Sequence, residues 1–506
     1  MEPTTHEQDS FWRSTVELPH GEPLAKDLAV DVCIVGAGIA GLSTAYLLTR
    51  AGRSVAILDH NVPGGGMTQS TSAHLSNAID DRYTEIERMH GSEGARLAAR
   101  SHTAAIDEIE RIVRHEQLDC DFQRVDGYLF CPPGEAEEIL DRELDAALRA
   151  GIDVMRAARA PFPAFDTGPC LRFANQGQFH PLKYLIGLTA ALQREGARLF
   201  PFTRADRIEG GARAQVFAGA HVVRAGSIVV ATNNPINDLV AIHTKQRAYM
   251  TYVIAAAIPR DSVPLALYWD TADPYHYVRV QPGGAGAGRD LLIVGGEDYR
   301  TGQEQDSEQR YERLERWARE RAPLMEEIAF RWGGQVMETI DGLAFIGRNP
   351  LDEDNVYVMT GDSGMGLTHG TLGAMLITDM ILGRENPWQR LYDPSRKTLR
   401  AAGTFAQEAL NTVAQYTDWV TGGDVSSVDE IAGGDGAILR EGLSKVAVYR
   451  DDLGVLHRFS AVCPHLGCIV QWNPTEKTWD CPCHGSRFDR EGKVMVGPAN
   501  RDLDKC

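Results

Sequence analysis

At 506 residues, with 43% hydrophobic and 24% charged positions, the chain has the size for two or three domains and the balance of a soluble globular protein. Its formal charge of −19 argues against nucleic acid or an anionic membrane surface as a partner, because both select basic patches. No apolar run approaches the roughly 18 residues that cross a bilayer, and Met1 to Glu7 lacks the basic start and apolar core of a secretion signal. A cytoplasmic protein that is not integral to a membrane is therefore expected. Of nine cysteines, Cys463, Cys468, Cys481 and Cys483 lie close together, whereas Cys33, Cys120, Cys131, Cys170 and Cys506 are scattered in the manner of reduced thiols.

Residues 1–29 read as an arm on the surface, anchored by Phe11 and Trp12. Asp31 to Val35 is a short apolar run, expected as a buried parallel strand, and Gly36-Ala37-Gly38-Ile39-Ala40-Gly41 opens a helix that runs to about Ala51. Ser54 to Leu58 is the next strand, and it ends at Asp59, 18 positions past Gly41. In that setting Gly36 permits the tight turn, Gly38 the approach of a pyrophosphate and Gly41 the close packing of helix on strand, while the helix N-terminus favours phosphate charge. Asp59 is placed to accept hydrogen bonds from ribose hydroxyls, with His60 beside it. These residues alone leave FAD and NAD open. The following loop, Gly64 to Leu75, is small and rich in hydroxyls; Thr68, Ser72, Ala73 and His74 are its candidate cofactor contacts.

That loop resembles the second flavin loop of the D-amino acid oxidase and glycine oxidase superfamily. The resemblance continues in Ser227 to Val230 followed by Ala231-Thr232-Asn233, in Thr339 to Gly347, and in Val356 to Gly370. It implies FAD as the cofactor, with Ala205, Gly361, Gly364, Met365, Gly366, Leu367 and Thr368 joining the flavin contacts, and a helix from about Thr371 to Leu382. The N-terminus of that helix would stabilise the negative charge that reduction brings to the ring. Ala344 stands where the family usually has Pro. Some members attach flavin through a Cys just before the Thr-x-Asp signature; Gly334-Gln335-Val336-Met337-Glu338 has none, so noncovalent FAD is expected.

The flavin domain is thus expected from residues 30–79, 171–244 and 331–383, and a substrate domain from the inserts 80–170 and 245–330. Helices are expected over Ser92 to Val113, Glu135 to Ala150 and Glu304 to Arg321. Strands are expected over Ala248 to Ile258, Leu265 to Asp270, Tyr275 to Gln281 and Leu291 to Val294, with a turn at Gly283 to Gly288. In the superfamily this sheet roofs the flavin, so Tyr268, Trp269, Tyr275, His276, Tyr277 and Arg279 become candidates for substrate contact. Alternation sends Tyr275, Tyr277 and Arg279 to one face and His276 to the other. Arg279 could clamp a carboxylate or serve as a structural ion pair. His74 and His369 could touch cofactor or substrate, or be satisfied structural histidines. Arg279, Tyr277, Tyr275 and His369 make up the catalytic candidates.

Residues 384–421 read as a connector containing a helix from Thr398 to Gln415, and 422–506 as a small β domain with strands at Lys445 to Tyr449, Val455 to Phe459 and Val494 to Val496. Few residues follow Asn500, so its last strand is expected to be missing. Within it, Cys463-Pro464-His465-Leu466-Gly467-Cys468 and Cys481-Pro482-Cys483-His484-Gly485-Ser486 are separated by 12 residues. This layout resembles a Rieske 2Fe-2S site, where one iron takes two Cys and the other two His. The resemblance assigns Cys463 and Cys481 to the first iron, His465 and His484 to the second, a disulfide to Cys468 and Cys483, and a hydrogen bond to cluster sulfur to Ser486. Phe488 replaces the Tyr of high-potential members, so a lower potential is expected within the roughly −150 to +300 mV Rieske range. A zinc knuckle uses four ligands and would leave two of these six donors unexplained. Ring-hydroxylating oxygenases need a further iron site downstream, yet none of the 22 residues after His484 is a His.

The fold class expected is an α/β FAD-binding, Rossmann-like domain with a mixed α+β substrate domain and a small all-β Rieske domain at the C-terminus. The function expected is a dehydrogenase that moves hydride from a small amine or amino acid to FAD and then single electrons through the cluster to a soluble carrier or quinone. The alternatives are a reductase running in the opposite direction and an electron-transfer component without turnover.

Overall fold

The structure is a computed structural model, and it describes residues 10–237, 242–286, 288–303, 306–350, 352–397, 416–419 and 421–506. The expected helix Thr398 to Gln415 lies outside the described residues.

The first sheet runs, edge to edge, Phe345–Arg348, Val356–Thr360, His221–Val230, Leu28–Val35, Val55–Leu58 and Arg198–Phe200, with a hairpin of Arg207–Glu209 and Gln215–Ala218 beside His221–Val230. Leu28–Val35 pairs in parallel with Val55–Leu58 on one side and His221–Val230 on the other. Val55–Leu58 is buried at every position, which is why it is uniformly apolar and not alternating. Helix Ile39–Arg50 begins directly after the glycine loop and packs against helix Gly366–Ile381. The latter starts at Gly366, ahead of the expected Thr371, so its first turn and not its middle reaches the sheet's carboxyl edge.

The second sheet runs Ile328–Thr339, Gln246–Pro259, Arg289–Arg300, His276–Gln281, Leu267–Asp270, Gln123–Phe130, Cys170–Gln178 and His74–Leu75, with Val154–Ala157 beside Cys170–Gln178. Residues 171–178 and 331–339, expected in the flavin domain, hydrogen-bond into this sheet through pairs such as Leu129↔Leu171 and Tyr249↔Val336. Local composition could not place them, because strand partners here are distant in sequence. One face of the sheet, including Val253, Ala255 and Ile293, packs toward the flavin domain. The other, including Tyr252, Ile254 and Val294, is covered by helix Ser307–Arg321. Helix Arg82–Glu116 is interrupted at Gly91, where φ is 74°, so its second part begins at the expected Ser92 and runs on past Val113 to Glu116. Helix Glu138–Ala150 packs on it.

The C-terminal domain consists of two small antiparallel sheets, Asp435–Glu441, Ser444–Arg450, Leu456–Ser460 and Gln471–Asn473, Thr478–Asp480, Arg487–Asp489, Val494–Val496. Its core holds Tyr449, Phe459, Trp472, Trp479 and Phe488. The last residues are tied back by a bridge between Phe459 and Lys505. Among the described residues no helix is long and apolar enough to cross a membrane.

Candidate functional site

A cavity opens at the carboxyl ends of the parallel strands, the place where open α/β sheets bind ligands. Gly36, Gly38, Ile39, Ala40, Asp59, His60, Thr68, Ala205, Ala231, Thr232, Asn233 and Gly366 line it as expected. Gly36 has φ of 108°, and a Cβ there would fall 2.3 Å from the Ala231 carbonyl oxygen. Only glycine closes this turn. The Thr68 hydroxyl accepts from Ile39 N at 3.2 Å, joining the second loop to the first helix turn. Asn233 Nδ2 is buried with no hydrogen-bond partner among the described residues, a donor without an acceptor on the cavity wall. The Asp59 carboxylate accepts from Ala37 N at 2.6 Å and Asn61 N at 2.8 Å, so it braces the glycine loop as well as lining the cavity. The glycine cradle, the orphan donor and the helix N-terminus at Gly366 fit a dinucleotide carrying a pyrophosphate.

Several expected contacts stand elsewhere. Gly41 does not line the cavity and has the packing role read from the sequence, since a Cβ there would meet the Gly36 carbonyl oxygen at 1.9 Å. Gly361, with φ of 72°, is pressed against Thr339, and Leu367 and Thr368 are buried in the helix away from the cavity. The Ala73 carbonyl is taken by Arg279. Thr203, Arg204, Met67 and the segment Val494 to Gly497 with Ala499 and Asn500 line the cavity without having been foreseen. Val494 to Asn500 belong to the C-terminal domain, and nothing in their local sequence signals a flavin wall.

A second cavity of about 130 Å³ lies under the second sheet and shares Met67 with the first. Tyr275 and Tyr277 line it as expected, and Ser72, His74, Gly364 and Met365, assigned to cofactor, line this one instead. Trp269, already a candidate, is joined by Asp80, Thr251 and Gln335, which sequence reasoning missed. Tyr275 OH donates to Asp80 Oδ2 at 3.1 Å, and the Tyr277 hydroxyl lies 2.8 Å from Thr251 Oγ1. His74 is held between Ser72 Oγ at 3.0 Å and the Val278 carbonyl at 3.2 Å. Burial and the nearby Arg279 push its pKa down to about 3, so the ring is neutral.

Arg279 is not a substrate clamp. It is fully buried outside both cavities; Nη1 donates to the carbonyls of Ala73 at 2.8 Å and Phe179 at 3.2 Å, and Nη2 to Gln281 Oε1 at 2.6 Å. Its guanidinium lies 5.2 Å from the Trp12 ring of the N-terminal arm, and burial pulls its pKa down to about 9. The alternation was read correctly, but two residues further along the strand the same face has passed from the cavity to the arm. His369 lines the cofactor cavity and not the second one; its Nδ1 lies 2.8 Å from the Asp362 carbonyl. His276 pairs with Asp270 at 3.0 Å and stacks on Trp317, and the Tyr268 hydroxyl donates to the Pro264 carbonyl at 2.9 Å; both are structural.

In the C-terminal domain the two cysteine loops face each other. Cys463 and Cys481 are buried with their sulfurs in hydrogen-bond contact, and the His465 and His484 rings lie 4.9 Å apart. Backbone N–H groups of His465 and Leu466 point at Cys463, and those of Cys483 and His484 at Cys481. Cys468 and Cys483 are joined by a disulfide that ties the loops together. Cys481, Cys468 and Cys483 also form a tight sulfur group, but the disulfide removes two of them as ligands. Two thiols and two imidazoles remain, a donor set that fits the Cys₂His₂ ligation of a Rieske cluster. Ser486 reaches both Cys463 and the amide of Ala499 at 3.0 Å.

The loops are docked on the rest of the chain. Asn234 Nδ2 donates to the His484 carbonyl at 3.1 Å and the Gly497 carbonyl at 3.3 Å, and Gln335 Nε2 to the Gly485 carbonyl at 2.8 Å. Gln246 Nε2 donates to Asn234 Oδ1 at 3.0 Å, and Thr360 Oγ1 to Gln246 Oε1 at 3.0 Å, which continues the chain of bonds to the flavin strand. The His243 ring sits 4.9 Å from His465 and 6.0 Å from His484.

Together these features define a flavoprotein oxidoreductase with a Rieske iron-sulfur domain. The chain belongs to the FAD dependent oxidoreductase family (DAO), whose model matches residues 31–380, and a Rieske [2Fe-2S] domain matches residues 421–506. It is 31% identical to the "Putative Rieske 2Fe-2S iron-sulfur protein YhfW" of Bacillus subtilis over 500 residues, 98% of this chain and 97% of that one. It is 25% identical to the γ-glutamylputrescine oxidoreductase of Escherichia coli over 397 residues, 75% of this chain and 90% of the relative. Its fold is similar to that of glycine oxidase from Geobacillus kaustophilus, with a TM-score of 0.60 at 17% identity over 73% of this chain and 99% of the other.

Proposed function

We propose that the protein is a dehydrogenase of a small amine or amino acid whose electrons pass within the chain to the Rieske domain and from there to a soluble carrier or quinone. FAD would supply a two-electron hydride acceptor and the 2Fe-2S cluster a one-electron carrier. Gly36, Gly38, Thr68, Asn233 and the Gly366 helix turn would hold the first, and Cys463, Cys481, His465 and His484 the second. Tyr275, Tyr277 and Trp269 line the neighbouring cavity, which would take the amine; a bound ammonium would lose one proton to solvent before hydride leaves the carbon beside the nitrogen.

The observation that carries the reading is the shared wall. Val494 to Asn500 line the cofactor cavity while the cluster loop is held by Asn234, the residue after the cavity's Asn233. A domain docked in this way suits electron exchange within one chain. The relative named for γ-glutamylputrescine supports an amine-bearing substrate.

The test is anaerobic mixing of the holoprotein with amines, amino acids and hydroxy acids. Flavin bleaching is followed optically and the reduced cluster by electron paramagnetic resonance. Bleaching by an amine or amino acid, then growth of the cluster signal, is the expected result. A panel that bleaches nothing, with a reduced carrier filling the cluster first, would establish the reductase direction instead.

A further inference from the structure

The second cavity combines aromatic and hydroxyl-bearing walls with the carboxyl of Asp80. Asp80 is half-buried and faces the space from beneath, Tyr275 and Tyr277 stand beside it with ring centroids 5.6 Å apart, and Trp269 and Thr251 complete the wall. Asp80 is held in place from two sides. Tyr275 OH donates to its Oδ2 at 3.1 Å, and Gly364 of the flavin loop approaches so closely that a Cβ there would be 2.4 Å from the same oxygen. The carboxylate therefore sits against the loop that separates this cavity from the cofactor cavity.

Among the described residues no Arg or Lys lines the cavity, and its histidine, His74, is neutral. Arg279, the cation nearest in sequence to the two tyrosines, is spent on backbone carbonyls and Gln281. A substrate carboxylate entering here would meet an anion and no cation to pair with, so its charge would be buried without a counter-ion. A substrate ammonium would meet the opposite: a carboxylate in contact distance and the negative faces of Tyr and Trp rings, the surroundings that recognise alkylammonium groups. Burial, Asp298 and Asp362 raise the Asp80 carboxyl and Arg82 opposes them, while burial pushes Asp81, Asp298, Asp362 and Glu338 themselves toward their neutral forms.

We infer that the cavity selects a cationic alkylamine lacking an α-carboxylate, with Asp80 as the counter-ion of the ammonium and Tyr275, Tyr277 and Trp269 as its aromatic cage. This rests on the reading of an amine or amino acid oxidoreductase and narrows it. The specificity follows from where Arg279 is used. Strand His276–Gln281, which supplies Tyr277, also carries Arg279, yet the fold turns that cation toward the arm, and among the described residues Asp80 is the charged group on the cavity wall.

The experiment uses the anaerobic holoprotein and two simple probes, tetramethylammonium and acetate, titrated while the visible flavin spectrum is recorded. Tetramethylammonium has no N–H or nitrogen lone pair and reports binding without turnover. It is expected to perturb the spectrum saturably and to compete with oxidisable amines, whereas acetate does neither. Asp80→Asn is expected to weaken tetramethylammonium about tenfold or more, and Trp269→Leu to weaken it by a smaller factor, providing a second variant should the first not fold. Saturable acetate binding, or tetramethylammonium binding unchanged within twofold in Asp80→Asn, overturns the inference. In the substrate panel, α-amino acids that bleach the flavin as readily as alkylamines overturn it too, although the amine or amino acid reading stands. If nothing is oxidised but tetramethylammonium still binds through Asp80, the binding inference stands and the dehydrogenase reading fails.

Discussion

The two cavities meet at Met67 but are built in different ways. The cofactor cavity is made of backbone: glycines at strand ends, a helix N-terminus and a carboxylate occupied with loop amides. The second cavity is made of side chains brought from the flavin loops and from several strands of the second sheet. Backbone recognition tolerates change in most side chains but not in the glycines; side-chain recognition can change substrate while the fold stays the same. The cofactor is thus a property of the family, and substrate choice a property of this chain.

The largest effect expected comes from the cluster ligands. Cys481→Ala should abolish the reduced-cluster resonance while leaving the flavin absorbance in place, because among the described residues none of that loop lines the cofactor cavity. Gly36→Ala comes next. With a Cβ 2.3 Å from the Ala231 oxygen at φ of 108°, the loop must shift, at about 1–3 kcal/mol of backbone strain, and the flavin-to-protein ratio of the purified variant should fall sharply. The second cavity should be unaffected in volume, which a tetramethylammonium titration on any flavin-loaded fraction would check.

Asn234→Ala tests the wall that joins the two redox sites. It leaves the His484 and Gly497 carbonyls and Gln246 without their partner, at about 1–3 kcal/mol for buried groups left unsatisfied. The expected outcome in the anaerobic experiment is slower filling of the cluster with unchanged bleaching of the flavin. Equal slowing of both would place Asn234 in the flavin site alone.

A pH dependence follows for the second cavity. Burial, Asp298 and Asp362 raise the Asp80 carboxyl to about 7, against the opposing pulls of Tyr275 and Arg82. An ammonium binds the ionised form, so its affinity should be full above that value and fall about tenfold for each pH unit below it. Asp81 and Asp298, also pushed up to about 7 by burial, work in the same direction. Tetramethylammonium, which has no proton to lose, gives the profile without interference from the ligand. The smallest effect expected is that of Tyr277→Phe. It removes the 2.8 Å contact with Thr251 but keeps the ring, and should cost about 1 kcal/mol of stability in denaturant unfolding with little change in cation binding.

Some of this was legible in the chain because the chemistry is local. A glycine loop between strand and helix, and two cysteine loops with paired histidines, carry their meaning within a few residues: the turn that Gly36 makes at φ of 108° was signalled by its place between strand and helix, and the facing of Cys463 with Cys481 was what the resemblance to a Rieske site implied. The helix Thr371 to Leu382 was legible in kind but not in its start, since Gly364 and Gly366 interrupt its apolar pattern where the cavity needs small residues. The sequence by itself therefore pointed to the two redox cofactors and to a flavin domain followed by a Rieske domain, and it named some of the residues that line the cofactor cavity. Only the tertiary structure decided that Arg279 faces Trp12 and not a substrate, that Asp80 faces the cavity, and that Val494 to Asn500 close the flavin wall. Each of these depends on which distant strands pair and how two domains dock, and long-range pairing leaves no periodicity in the residues it brings together.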